Sequence, residues 1–185
     1  MSLEAYARER ASFRVKVLEH KRNRTVHLGE HVTLQFEDAV LIRYQIQEML
    51  RIERIFEEAG IRDEIEAYDP LVPDGTNLKA TMLIEYEDAD ERKRALARLK
   101  GIEDRVWIAV AGHERVHAIA DEDLERETDE KTSSVHFLRF ELTDEMADSL
   151  KYGMTLGMGI DHPHYRAAIE PVPAPVRDAL LKDLA

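Results

Sequence analysis

Three groups of residues carry the chemistry that can be read from this chain. The first is His113-Glu114-Arg115-Val116-His117, which has H-E-x-x-H spacing. On a helix that spacing sets both imidazoles on one face as zinc ligands, with the glutamate beside the metal-bound water as general base of a hydrolase. The pentapeptide follows Gly112 and the strand-like run Trp107-Ile108-Ala109-Val110, so a surface hairpin competes with the helix. The second group is Asp161-His162-Pro163-His164, whose carboxylate and imidazoles suit one divalent cation such as zinc, iron or manganese. A hydrogen-bonded strand-to-loop corner would use the same residues. The third group sits in the stretch Ala39–Ala59, where Glu48 has Gln45 and Arg51 three residues away on either side. A carboxylate within an apolar helix face needs a partner. Either Glu48 pairs with Arg51 along the helix, or it points into a cavity toward a metal, a substrate or His136. In a cavity, burial would raise its pKa and make Glu48 or His136 a general base.

These residues need a frame. The apolar side chains of Ala39–Ala59, stepped at about 100° per residue, cover about two thirds of the helix circumference. That is too wide for one buried stripe and predicts a central helix covered on two sides, closed by a C-cap at Gly60. Before it, Leu3–Arg24 reads as helical, and Arg24–Leu28 with Val32–Glu37 as a hairpin about Gly29-Glu30. A loop holding Pro70, Pro73 and Asp74-Gly75 spans Tyr68–Asn77. Beyond it come a strand (Lys79–Glu87), a helix (Ala89–Lys100), strands at Arg105–Ala111 and Val116–Ala120, and an acidic run, Asp121–Lys131, read as a solvated helix. Ser134–Leu142 is a strand with His136, Leu138 and Phe140 on one face and Arg139 on the other. A helix to Lys151, a strand over Thr155–Ile160 and a short helix opened by Pro175 complete the order. The chain therefore reads as α+β, one domain over residues 1–185 with a mainly antiparallel sheet. The order from Lys79 onward fits a ferredoxin-like βαββ(β)αβ half.

Composition excludes several classes. A formal net charge of −12 repels nucleic acid and anionic membrane surfaces. The basic cluster Lys21, Arg22 and Arg24 is read as complementing a helix dipole. With no cysteine, disulfides, thiolate nucleophiles and iron–sulfur ligation by the chain itself are excluded. No stretch approaches the ~20 apolar residues of a membrane span, and the N-terminal residues lack an apolar signal core, so a cytoplasmic location is expected.

Four segments carry a resemblance: Tyr44–Glu53 (YQIQEMLRIE), Asp69–Asn77 (DPLVPDGTN), Val135–Phe140 (VHFLRF) and Gly159–Pro163 (GIDHP). Together they resemble a bacterial family of unknown function whose members have about this length. That family's genes often lie beside a rubrerythrin-like protein and an iron–sulfur protein resembling a heterodisulfide reductase subunit. The resemblance implies an accessory role in peroxide handling or electron transfer, with a redox protein as partner. If the segments converge, a site would draw Tyr44, Gln45, Glu48 and Arg51 from the helix, Asp74 and Asn77 from the loop, His136 or Arg139 from the strand, and His162 from the corner. Such a mixture suits a small anionic ligand or a carboxylate- and histidine-bound metal.

Three functions follow as expectations. The first is an accessory protein that binds a divalent metal, a small anionic ligand, a redox partner or a second copy of itself. The second is an enzyme using Glu48 or His136 as base, and the third is a zinc hydrolase using His113 and His117.

Overall fold

A computed structural model describing residues 1–185 has six α-helices and nine β-strands, all strand pairings being antiparallel. The α+β reading holds. The N-terminal helix α1 (Leu3–Arg22) leads into the hairpin β1 (Thr25–Leu28) and β2 (Val32–Phe36), which turns at Gly29 as the sequence predicts. Helix α2 (Ala39–Glu53) starts where the Asp38 carboxylate accepts the N–H groups of Val40 and Leu41 at 3.0 and 2.9 Å. It stops well before Gly60. Arg54 takes a left-handed conformation (φ 56°) and its N–H closes on the carbonyl of Leu50, so the expected single helix to Ala59 is two, with α3 (Glu58–Tyr68) packed beside α2. The apolar period runs through the break because Ile52 and Phe56 keep helical spacing, yet both are exposed. Helix α2 is flanked by α1 and α3.

The remaining elements are β3 (Asn77–Ile84), α4 (Ala89–Arg98), β4 (Val106–Val110), β5 (Val116–His117), β6 (Ile119–Ala120), β7 (Val135–Glu141), α5 (Asp144–Lys151), β8 (Leu156–His162), β9 (Tyr165–Ile169) and α6 (Ala174–Leu180). They form two sheets, ordered β1-β2-β3-β7-β6 and β5-β4-β8-β9. The ferredoxin-like half is therefore not found, because β3 and β4, which that arrangement would place in one sheet, lie in different ones. A single extended segment joins the sheets: its first half pairs with β4, its second with β7, and between them the N–H of Ala118 donates to Val106 O at 2.9 Å. At the opposite edges, β1 and β9 are linked by a side chain. Tyr165 Oη donates to Leu28 O at 2.6 Å and accepts from the N–H of His31 at 3.1 Å. Gly29 permits this approach, since its φ is +75° and a Cβ there would lie 2.6 Å from the Tyr165 oxygen.

Inward-facing side chains of both sheets, with residues of α4, α5, α6 and the connections, merge into one core of 27 buried residues, among them Leu34, Phe36, Met82, Ile108, Phe140 and Met158. The outer face of the first sheet carries the row Gln35, Thr81 and Phe137, set side by side by the strand register. Two charged stretches differ from their sequence reading. Arg24 lies beyond α1 rather than in its last turn and is 1% exposed; its guanidinium holds both oxygens of Asp183 at 2.7 and 2.8 Å and lies 3.0 Å from Asp38. The acidic run is not a helix: Arg126 turns back to Asp121 and Asp123 and lies over the Phe137 ring, while Glu122 pairs with Arg139. No helix is long and apolar enough to cross a membrane.

Candidate functional site

Helices α1, α2 and α3 lie over the outer face of the first sheet without filling the space above it. Two cavities of about 490 and 350 Å³ remain, and they share Glu37, Tyr68, Leu71 and Phe137 as a common wall. The smaller is walled by Val17, Leu18, Leu41, Ile42 and Leu83, with Gln35, Tyr44 and Gln45 as polar points. The larger opens between the turn at Pro70-Leu71 and the ends of β3 and β7, where Lys79 and Arg139 stand. Together they make a mainly apolar groove with a few polar groups, the usual form of a small-molecule site.

Glu37 occupies the junction because β2 ends at Phe36 and the next N–H donates to Lys79 O at 2.8 Å, anchoring the backbone there. Burial pushes its pKa above the ordinary carboxylate value. The Thr81 hydroxyl, which donates at 2.7 Å, and the positive charge of Lys21 oppose that rise without cancelling it. The cations of the larger cavity are already engaged. Arg139 holds both oxygens of Glu122 at 2.8 Å and also contacts Glu141, and Lys79 donates to Pro70 O at 2.5 Å. Glu37 is thus the groove's interior ionisable group without an ion-pair partner.

The sequence candidates divide around this site. Tyr44, Gln45 and Arg139 line the groove. Glu48 does not: it receives the Tyr6 hydroxyl at 2.5 Å and the Arg10 guanidinium at 2.7 Å through both oxygens, and Arg51 lies 3.5 Å away. The Arg10 guanidinium, helped by Tyr6, holds its pKa down at about 2, which is the opposite of what a general base needs. Asp74 accepts from the N–H and hydroxyl of Thr76 at 3.0 and 2.8 Å, and Asn77 is buried beside Glu141; both shape the turn into β3. Asp161 and His162 point to opposite faces of β8. Asp161 is exposed beside Arg166, whereas His162 is buried, with Nε2 3.0 Å from Lys100 O and Nδ1 accepting the N–H of His164. Both ring nitrogens of His162 are therefore engaged and His164 is left exposed, so the three do not converge as a ligand set. His113 lies in the turn after β4, 2.8 Å from Ser149 Oγ, and His117 is on β5 opposite Trp107. The helix on which a zinc-peptidase arrangement depends is absent there.

His136 faces the core and is 0% exposed. Its Nδ1 lies 2.6 Å from Asp121, and Thr132, Ser133 and Glu103 surround Nε2. Sequence reasoning missed Glu37, Glu103, Asp121 and Thr132. Glu37 alone had a local signal, as the charged residue between the end of β2 and the helix cap Asp38.

The chain is similar along residues 1–184 to the family described as Protein of unknown function (DUF3501). Among solved structures, a "novel protein of unknown function" from Burkholderia pseudomallei K96243 is 55% identical and superposes with a TM-score of 0.94, covering 100% of this chain and 96% of that one. No curated protein matches.

Proposed function

The chain belongs to the family of unknown function DUF3501, and we propose that it serves there as a binding protein for a largely apolar small molecule held in the groove beneath α1–α3. One observation carries this reading: a half-buried carboxyl, Glu37, stands at the junction of two apolar cavities with no cation paired to it. A ligand that spans the junction and offers a hydrogen-bond donor to Glu37 satisfies both the apolar walls and the carboxyl. Tyr44 and Gln45 supply further polar points along the path. A small anion fits less well, because Arg139 and Lys79 are engaged and Lys21 is exposed.

Catalysis by one activated group finds less support. Glu48 is locked in an ion pair, and His136 lines neither cavity. An accessory role beside redox proteins rests on the resemblance alone. A pull-down with rubrerythrin-like and iron–sulfur proteins would give it a partner, and failure there would leave the groove reading intact.

The test of the groove uses N-phenyl-1-naphthylamine, an apolar dye that fluoresces on leaving water. Saturable binding that is lost in Leu71→Trp, which fills the shared wall, and weakened in Glu37→Ala supports the proposal. Absence of saturable binding, or binding indifferent to Leu71→Trp, refutes it.

A further inference from the structure

A second site lies on the inward side of β7, apart from the groove. Three oxygens gather about the Nε2 atom of His136: Thr132 Oγ1 at 3.0 Å, the Ser133 carbonyl at 3.1 Å and Glu103 Oε2 at 3.9 Å. Thr132 Oγ1 is itself 3.4 Å from Glu103 Oε2. The Asp121 carboxylate accepts the hydrogen bond of the Nδ1 proton, so Nε2 of the neutral imidazole is an acceptor facing two acceptor-only oxygens, and the one Thr132 hydroxyl proton can serve Nε2 or Glu103 but not both. His136 is fully buried and Glu103 is 8% exposed, and the side-chain hydrogen bond that this carboxylate receives is a long one, from the Thr132 hydroxyl at 3.4 Å, where thin pairing of a charge is costly. A divalent cation placed among the four atoms would satisfy them all.

We propose that His136 Nε2, Glu103, the Thr132 hydroxyl and the Ser133 carbonyl form a site for one divalent first-row cation, with Asp121 as the positioning carboxylate behind the imidazole. The geometry suits this. Metal–ligand bonds of roughly 2.0–2.2 Å imply edges of roughly 3.3–3.6 Å in a tetrahedral site. Four of the six edges are 3.0, 3.1, 3.4 and 3.9 Å and bracket that range, so these pairs reach it with shifts of a few tenths of an ångström.

The Asp121 oxygen 2.6 Å from His136 Nδ1 accepts its proton and leaves Nε2 as the ligating nitrogen, the carboxylate–histidine arrangement that orients metal-bound imidazoles. Asp121 is itself fixed: its other oxygen accepts the N–H of Phe137 at 2.9 Å, and its backbone is held at φ +50°, a conformation uncommon for a residue with a side chain. Charge agrees as well, since the two carboxylates neutralise a divalent ion. A mixed set of imidazole, carboxylate, hydroxyl and carbonyl suits zinc, manganese or iron(II). The ion would tie Glu103, just before β4 in one sheet, to β7 in the other. Thr132 and Ser133 belong to the irregular segment between β6 and β7, the part that must open to admit it.

The experiment is titration of chelator-treated protein with Co²⁺, whose visible absorption is strong in tetrahedral sites, followed by displacement with Zn²⁺. One equivalent of Co²⁺ with raised thermal stability is expected in the wild type and in His162→Ala. Binding should be lost in Glu103→Gln, and weakened about 10- to 100-fold in Asp121→Asn, as for other supporting carboxylates. If Glu103→Gln does not fold, Thr132→Val takes its place, with weaker binding expected. No saturable uptake by the wild type, or uptake that these variants leave unchanged, overturns the proposal.

Discussion

Replacing Arg24 with Met tests whether the N-terminal hairpin is held to the C-terminal helix by a buried charge. The guanidinium is 1% exposed. It donates to both oxygens of Asp183 and to the carbonyls of Ala179 and Glu37, and its Nε lies 3.0 Å from Asp38. Met fills similar volume but leaves the Asp183 carboxylate, 7% exposed, facing apolar surroundings without a cation. Removing one partner of a buried pair costs about 3–5 kcal/mol, because the survivor keeps its desolvation penalty. In a chain of this size each kcal/mol lowers Tm by roughly 2–4 °C, so Arg24→Met should melt roughly 6–20 °C below the wild type. Adding Asp183→Leu removes the stranded charge, and the double variant should recover most of the loss. Asp38 does not need Arg24 to the same degree, since it keeps the N–H groups of Val40 and Leu41 and a 2.6 Å contact with His20. Urea denaturation of the three proteins, read at constant m-value, is the assay. A single variant that loses under about 1 kcal/mol, or a double variant no better than the single, would show that the pair is not a determinant of stability.

Three further outcomes are expected. Glu48→Gln should destabilise the protein at neutral pH, because the pair with Arg10 and Tyr6 joins α1 to α2. Since the folded pKa is held down at about 2 against an ordinary 4.5, that stability is present above pH 4.5 and is lost as pH falls toward 2, so the denaturation curves of wild type and variant should converge in acid. Glu37→Gln should behave in the opposite sense. Burial raises the Glu37 pKa, so its ionised form is less favourable in the folded state; the variant should be at least as stable as wild type at neutral pH, with the gap closing as pH falls and Glu37 protonates. A clear loss of stability at neutral pH in chemical denaturation would contradict that reading. Tyr165→Phe leaves the N–H of His31 and the carbonyl of Leu28 without their bridging hydroxyl, and should cost about 1–3 kcal/mol with faster amide exchange along β1 and β9; unchanged exchange would sink the prediction.

Element types were legible where local chemistry and long-range packing agree. The hairpin about Gly29, the strand of His136, Leu138 and Phe140, and the helix capped by Thr143 follow from alternation, turn residues and a hydroxyl at the N-cap. The break at Arg54 was hidden because Ile55 and Phe56 continue the helical period while lying outside the helix. The acidic run misled for a related reason. Glu122 and Arg126 have helical spacing, but Glu122 pairs with Arg139 on β7, whereas Arg126 turns back on Asp121 and Asp123 and lies over the Phe137 ring. Segregation of β3 and β4 into different sheets depends on pairings formed across many intervening residues, which the order of elements does not encode. The candidate site shows the same division. Tyr44, Gln45 and Arg139 stand out in the sequence and line the groove, whereas Glu37, Leu71 and Phe137 meet only after α3 and its following turn are folded over the sheet.

The meeting of β1 and β9 bears on how the sheet edges of this protein are covered. Two antiparallel sheets would normally expose four edge strands, each a template for pairing with another molecule. Here β5 and β6 are one continuous segment, which joins two of those edges to each other through β4 and β7, and the other two face each other across the Tyr165 hydroxyl. The protection is intramolecular at both seams but unequal in strength, backbone ladders closing one and a single side chain the other. Opening that weaker seam would uncover two edges on one molecule at once, making β1 and β9 the strands through which aggregation or strand exchange between copies would begin.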